Sequence, residues 1–136
     1  MIVPNLVVAD MQRAVAFYRD VLGMDLTMAV TARRDVLTEG DGSGAVFVTL
    51  EWRGAQLMLQ TRASLAEDLP EFRAARVVQP AGTIYFRGLD PDAIARLAPA
   101  DRIVRGPVTQ WYGMREVYVR DPDGHITCAG RQVEAG

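Results

Sequence analysis

The stretch Trp111-Tyr112-Gly113-Met114-Arg115-Glu116-Val117-Tyr118-Val119-Arg120-Asp121-Pro122-Asp123-Gly124-His125-Ile126-Thr127-Cys128 decides the fold. It reads as strand, tight turn, strand. Met114 to Arg120 alternates and carries β-branched and aromatic side chains, as a pleated strand requires. Asp121-Pro122-Asp123-Gly124 supplies turn chemistry: an Asp to bond the backbone, a Pro to fix φ and a Gly able to take positive φ. Ile126 to Ala129 can then pair back. Alternation puts Met114, Glu116 and Tyr118 on one face and Arg115, Val117 and Val119 on the other, where the two valines suit packing against a helix.

Moving upstream, Arg102 to Arg105 reads as a short strand, and Asp90 caps a helix that has Pro91 at its first position and runs to about Ala98. Thr83 to Arg87 is a strand, punctuated on its N-terminal side by Gln79-Pro80-Ala81-Gly82. The N-terminal half repeats the pattern. Ile2 to Val8 is β-rich, with Pro4 pointing to an edge or a strand start. Asp10 caps a helix in which Ala14, Val15, Phe17, Tyr18, Val21 and Leu22 share one face, and Gly23 can close it. Asp25 to Val30 is a strand, Arg33 to Gly44 a Gly-rich loop, and Ala45–Trp52 with Ala55–Thr61 a hairpin about Arg53-Gly54. Ser64 and Glu67 match a capping box, which predicts a short helix through Leu69 to Ala75, kinked at Pro70.

The order strand, helix, strand, strand, strand therefore occurs twice, over about 1–61 and 81–130, joined by a connector at 62–80, in a single domain 1–136. The fold class is α+β: two tandem βαβββ modules, mostly antiparallel, forming a curved mixed sheet around a concave cup. Such a concavity is the default place for a ligand.

Composition narrows the function. A chain of 136 residues buries roughly two-thirds of its unfolded surface and needs no metal or disulfide to fold. A net charge of −2 argues against a nucleic-acid partner. No apolar run approaches the roughly 18 residues of a membrane span, and the start lacks the basic and apolar regions of a signal peptide. The lone Cys128 forms no internal disulfide and suits a reducing cytoplasm. Apart from His125 every basic residue is Arg, so lysine Schiff-base chemistry is excluded.

Val7-Val8-Ala9-Asp10 leading into Ala14-Val15-Ala16-Phe17-Tyr18 and Leu22-Gly23, together with the Asp121–Gly124 turn, resembles the vicinal-oxygen-chelate superfamily. That superfamily includes glyoxalase I, extradiol dioxygenases, fosfomycin-resistance enzymes and bleomycin resistance proteins. The resemblance covers nearly the whole chain, and Trp111 to Glu116 followed by Arg120 to Gly124 is most similar to the bleomycin-resistance branch. It implies the twin βαβββ fold and a homodimer, often with exchanged strands.

It also implies where a metal would sit. The superfamily's enzymes hold a divalent ion with His and carboxylate ligands from four strands. The first His falls at Val3, the first carboxylate near Met58, the second His at Thr83 and the last Glu at Cys128. Val and Met offer no hard donor, Thr is a poor one and a single thiolate cannot hold a metal alone. The expectation is therefore a protein without a metal, a cofactor or catalytic residues.

What remains on the expected concave face is a binding set: Met58, Gln60, Thr83, Tyr85, Met114, Glu116 and Tyr118, with Trp111 and Tyr112 as an aromatic wall. Glu116 has two readings, a carboxylate facing solvent or paired to Arg, and a cation-binding group inside the cup. Cys128 reads as a small core or groove residue and His125 as a surface residue. The function expected is sequestration of a small organic ligand (aromatic, cationic, antibiotic-like) by a cytoplasmic homodimer with no membrane or nucleic-acid partner. The alternatives are a metal-dependent glyoxalase- or dioxygenase-like enzyme with displaced ligands, and a sensor whose dimer surface matters more than its pocket.

Overall fold

The twin pattern is realised as two units, Met1–Val77 and Val78–Gly136, in a computed structural model that describes residues 1–74 and 78–133. In unit 1, strand β1 (Asn5–Val8) leads through helix α1 (Met11–Ala16, continuing as a wider turn over Phe17–Val21) to β2 (Asp25–Thr31), β3 (Val36–Leu37), β4 (Ala45–Trp52) and β5 (Ala55–Thr61). Helix α2 (Arg62–Asp68) follows. The sheet order is β1-β5-β4-β2-β3, with β1 parallel to β5 and the other neighbours antiparallel.

Unit 2 runs β6 (Thr83–Arg87), α3 (Pro91–Leu97), β7 (Ile103–Thr109), β8 (Met114–Arg120) and β9 (Ile126–Gln132). Its order is β6-β9-β8-β7, with β6 parallel to β9. The repeat is thus in topology: in both sheets the module's first strand lies beside its last, then comes the hairpin partner of that last strand, then the strand that follows the helix. Among the described residues no helix is long and apolar enough to cross a membrane.

Local chemistry explains the elements. The Asp10 carboxylate accepts from the Arg13 N–H at 3.1 Å and starts α1, and Gly23 at φ 78° ends the helical segment. The helix presents Ala14, Val15, Phe17 and Tyr18 to the sheet, where Val48, Leu50, Leu57 and Leu59 are all buried. Each such side chain contributes about 1.5–3 kcal/mol on burial, so a Leu59→Ala substitution costs about 2–5 kcal/mol.

In unit 2, Val117 and Val119 face α3 as alternation requires, packed with Phe86, Ile94 and Ala129. Arg115 on the same face reaches Asp92 of α3 with a two-pronged contact, Nε to Oδ2 at 2.7 Å and Nη2 to Oδ1 at 2.8 Å. The β8–β9 turn forms as read: Asp121, fully buried, accepts from the N–H groups of Asp123 and His125, both at 2.9 Å, and Gly124 takes φ 101°.

Four expectations are corrected. The first strand begins at Asn5 rather than Ile2, because Pro4 has no N–H to give the ladder, although its carbonyl still accepts from Met58 N–H at 2.8 Å. The loop 33–44 contains the two-residue β3. The connector helix starts at Arg62, capped by Thr61 Oγ1 accepting from Ser64 N–H, so Ser64 lies in its first turn and is not its cap. Beyond it only Pro70–Phe72 makes a single tight turn, and the predicted end at Ala75 lies outside the described residues. The strand expected at 102–105 runs to Thr109, since a bulge absorbs Gly106 and Pro107: a Cβ at Gly106 (φ 89°) would stand 2.5 Å from the Glu116 carbonyl oxygen.

Candidate functional site

Because β6, β9, β8 and β7 pair in register, the sheet face of unit 2 opposite α3 can be read in rows. One row runs Arg87, Gly130, Glu116, Val108. The next runs Tyr85, Cys128, Tyr118, Arg105. Glu116 stands near the middle and is only 2% exposed. A carboxylate taken out of water costs several kcal/mol unless donors replace the lost hydration. Here they do. The Tyr112 hydroxyl donates to Oε1, the Cys128 thiol lies 3.7 Å from Oε2, and the Tyr85 hydroxyl stands close enough to the same carboxylate for it to raise the phenol.

Gly130 makes the third contact possible. It sits between Tyr85 and Glu116 on the central strand, and a Cβ there would fall on the Tyr85 hydroxyl and within 2.6 Å of the ring carbon that bears it. Only glycine lets the phenol cross β9.

The donors around Glu116 are held protonated. The hydrogen bond to Glu116, with burial, pushes the Tyr112 phenol up to about 12. Burial, with the nearby Glu116 charge, pushes the Cys128 thiol up to about 12 as well, which favours the neutral thiol as a donor. Burial first and Glu116 second hold Tyr85 above its ordinary range, and burial with the neighbouring Cys128 and Glu116 raises Tyr118. The result is one buried acceptor ringed by neutral donors, with the Arg87 guanidinium 5.6 Å over the Tyr85 ring at one edge of the sheet.

The hairpin loop between β7 and β8 supplies the aromatic part. It is closed by Gln110 N–H to Met114 O at 2.7 Å and Gly113 N–H to Gln110 O at 3.0 Å. Tyr112 folds back onto Glu116 while Trp111, 93% exposed, meets the Tyr112 ring edge-on with centroids 5.4 Å apart.

Of the residues singled out from sequence, the structure brings Tyr85, Tyr112, Glu116 and Tyr118 together, with Trp111 against Tyr112. Met114 shares their face but is buried opposite Gln132. Thr83 pairs with Ile126 near the start of the edge strand, away from the cluster. Met58 and Gln60 belong to unit 1, where Met58 pairs with Asn5 and Thr49, and Gln60 bonds Asn5 and Ser64. Glu116 is buried, and among the described residues it enters no ion pair. Sequence reasoning missed Cys128 as a donor to Glu116 and Gly130 as the opening for Tyr85. A glycine inside a strand pattern, which marks close approach, was the signal available.

The family metal can be tested against these strands. Val3 stands two residues before Asn5, the partner of Met58, and Thr83 stands two residues before Tyr85, the partner of Cys128. The offset is the same in both modules, which supports the positions assigned to the four ligands. The donors there are an alkyl group, a thioether, a hydroxyl and a thiol. Among the described residues no three His, Cys, Asp or Glu side chains gather where they could hold a metal ion. This donor set does not fit the divalent ion of the superfamily's enzymes.

Twin βαβββ modules with an emptied ligand set define a class of protein, and comparison gives the family. The family model described as Glyoxalase/Bleomycin resistance protein/Dioxygenase superfamily matches residues 2–128, and the chain belongs to that superfamily. A protein of unknown function from Agrobacterium tumefaciens str. C58 is 25% identical, with a TM-score of 0.73 over 98% of this chain and 94% of that one. A glyoxalase/bleomycin resistance protein/dioxygenase family enzyme from Burkholderia phytofirmans PsJN is 15% identical, with a TM-score of 0.67 and coverage of 96% and 97%. A glyoxalase/bleomycin resistance protein/dioxygenase from Nocardioides is 17% identical, also with a TM-score of 0.67, over 100% and 85%. The last two likenesses show the fold alone. No curated protein matches the chain.

Proposed function

We propose that this chain binds a small organic molecule at the Glu116 face of unit 2 and sequesters it unchanged, in the manner of bleomycin resistance proteins. The observation that carries the reading is the burial of Glu116 among neutral donors. A carboxylate satisfied by phenols and a thiol keeps its charge uncompensated, so a cationic or N–H-rich group adds the missing positive partner. Trp111 and Tyr112 offer stacking surface for a flat ligand. Tyr85, Tyr118, Met114 and Thr83 complete the site within unit 2, and Met58 and Gln60 stand as a polar and thioether pair on the sheet of unit 1. The protonated phenols and the neutral thiol suit holding a ligand rather than attacking it. The protein would act as a cytoplasmic homodimer with no metal or cofactor, a reading supported by the family resemblance, the lone Cys128 and the unsuited metal positions.

Isothermal titration calorimetry with a bleomycin-type glycopeptide and with the planar cation proflavine tests this. Saturable binding weakened by Glu116→Gln supports it. No heat with either compound at near-millimolar concentration, where affinities weaker than about −4 kcal/mol escape notice, sinks the sequestration reading. A stoichiometric divalent metal in the purified protein would instead favour an enzyme with displaced ligands.

A further inference from the structure

We propose a small-molecule site within unit 1, shaped for an amphoteric organic molecule that carries both a carboxylate and an ammonium on an aromatic body. An open cleft of about 390 Å³ lies where β4 and β5 meet the turn after β2 and the first turns of α2. That volume falls at the small end of the roughly 300–1,000 Å³ typical of ligand pockets.

Its apolar wall is Phe47, which pairs across the sheet with Gln60. The Gln60 carboxamide is fixed: its Oε1 accepts from Asn5 Nδ2 at 3.0 Å and its Nε2 donates to Ser64 Oγ at 2.9 Å. One Nε2 proton and the Ser64 hydroxyl proton remain for a ligand.

Two opposite charges line the same cleft. Arg34 is carried on the turn closed by its own N–H to the Thr31 carbonyl at 2.9 Å, and Glu67 projects from α2. Among the described residues neither enters an ion pair, with the other or with any third group. A cleft lined by a cation and an anion that form no ion pair among the described residues, with a fixed amide and an aromatic wall, is complementary to a zwitterion. A molecule with a single charge engages half of it.

The test uses the full ¹⁵N-labelled chain and three probes: L-phenylalanine, phenylacetate and phenethylamine. L-Phenylalanine is expected to shift the backbone signals of Arg34 and Ser64 and the side-chain amide of Gln60 in a saturable way. Each single-charge analogue should bind about tenfold more weakly, the effect of one lost charge-assisted contact. Arg34→Ala should weaken L-phenylalanine about tenfold and leave phenethylamine unchanged, and Glu67→Gln should do so while leaving phenylacetate unchanged. Both side chains are exposed, so the variants keep the fold. The proposal is overturned if no probe shifts unit 1 at about 10 mM, if all three bind alike, or if shifts appear in unit 2 only.

Discussion

Gly130→Ala perturbs the cluster without touching Glu116. The added Cβ would fall on the Tyr85 hydroxyl, 2.6 Å from its Cζ and 3.1 Å from Cε1. The backbone of β9 is held between β6 and β8, so the ring must yield. Tyr85 is 38% exposed and can swing outward, at the cost of its polar contact with Glu116. A full hydrogen bond to a charged group contributes about 1.5–3 kcal/mol, so this partly exposed polar contact is expected to contribute about 1–2 kcal/mol. If the strand moved instead, overpacking would cost about 1–3 kcal/mol.

The two outcomes separate in a double-mutant cycle with Tyr85→Phe, read by urea unfolding. Where Gly130 is what admits the phenol, Tyr85→Phe costs about 1–2 kcal/mol in the parent and close to nothing beside Gly130→Ala, a coupling of about 1–2 kcal/mol. Ultraviolet titration of the phenols gives a second readout, because Tyr85, held above its ordinary range by burial and by Glu116, should fall back toward it in Gly130→Ala. Costs that add within about 0.5 kcal/mol, together with an unchanged titration, would refute the argument.

Alkali should destabilise the fold through the same cluster. The Tyr112 phenol and the Cys128 thiol are both raised to about 12, so the folded state keeps protons that the unfolded chain releases. Their contribution is full below the unfolded values and is lost as pH climbs from about 9 through about 12, which urea midpoints across that range will show. Acid acts elsewhere: hydrogen bonding to Arg115 lowers the Asp92 carboxyl below its ordinary 3.8, so that contribution is present above 3.8 and lost as pH falls through the folded value. Arg115→Gln should flatten this acid limb in thermal melts. Dialysis against a chelator should leave both ligand binding and the melting temperature unchanged, since Val3, Met58, Thr83 and Cys128 offer no chelating set; a drop in either quantity would contradict that.

The fold was legible because its signals are local. Asp10, Gly23, Asp90-Pro91 and Asp121-Pro122-Asp123-Gly124 each act within a few residues, and the elements they bound formed where the sequence placed them. Thr61 escaped notice because Ser64 and Glu67 offered a better-looking capping box three residues later, and only the end of β5 settles which residue caps. The site was legible in part. Alternation put Glu116 and Tyr118 on one face, but it carries no information about depth, so burial of Glu116 could not be read from it. The Tyr85 contact depends on three adjacent strands in register and on an absent side chain at Gly130. Tyr112 lies in a hairpin loop whose course toward Glu116 no periodicity reports.

Calorimetric titration of the parent and of Glu116→Gln with proflavine and a bleomycin-type glycopeptide, after chelator dialysis, bears most directly on the proposed role of Glu116. The account predicts saturable binding to the parent and at least about tenfold weaker binding to the variant, the loss of one charged contact. Equal affinity in both proteins, or binding that appears only when a divalent metal is restored, would contradict it.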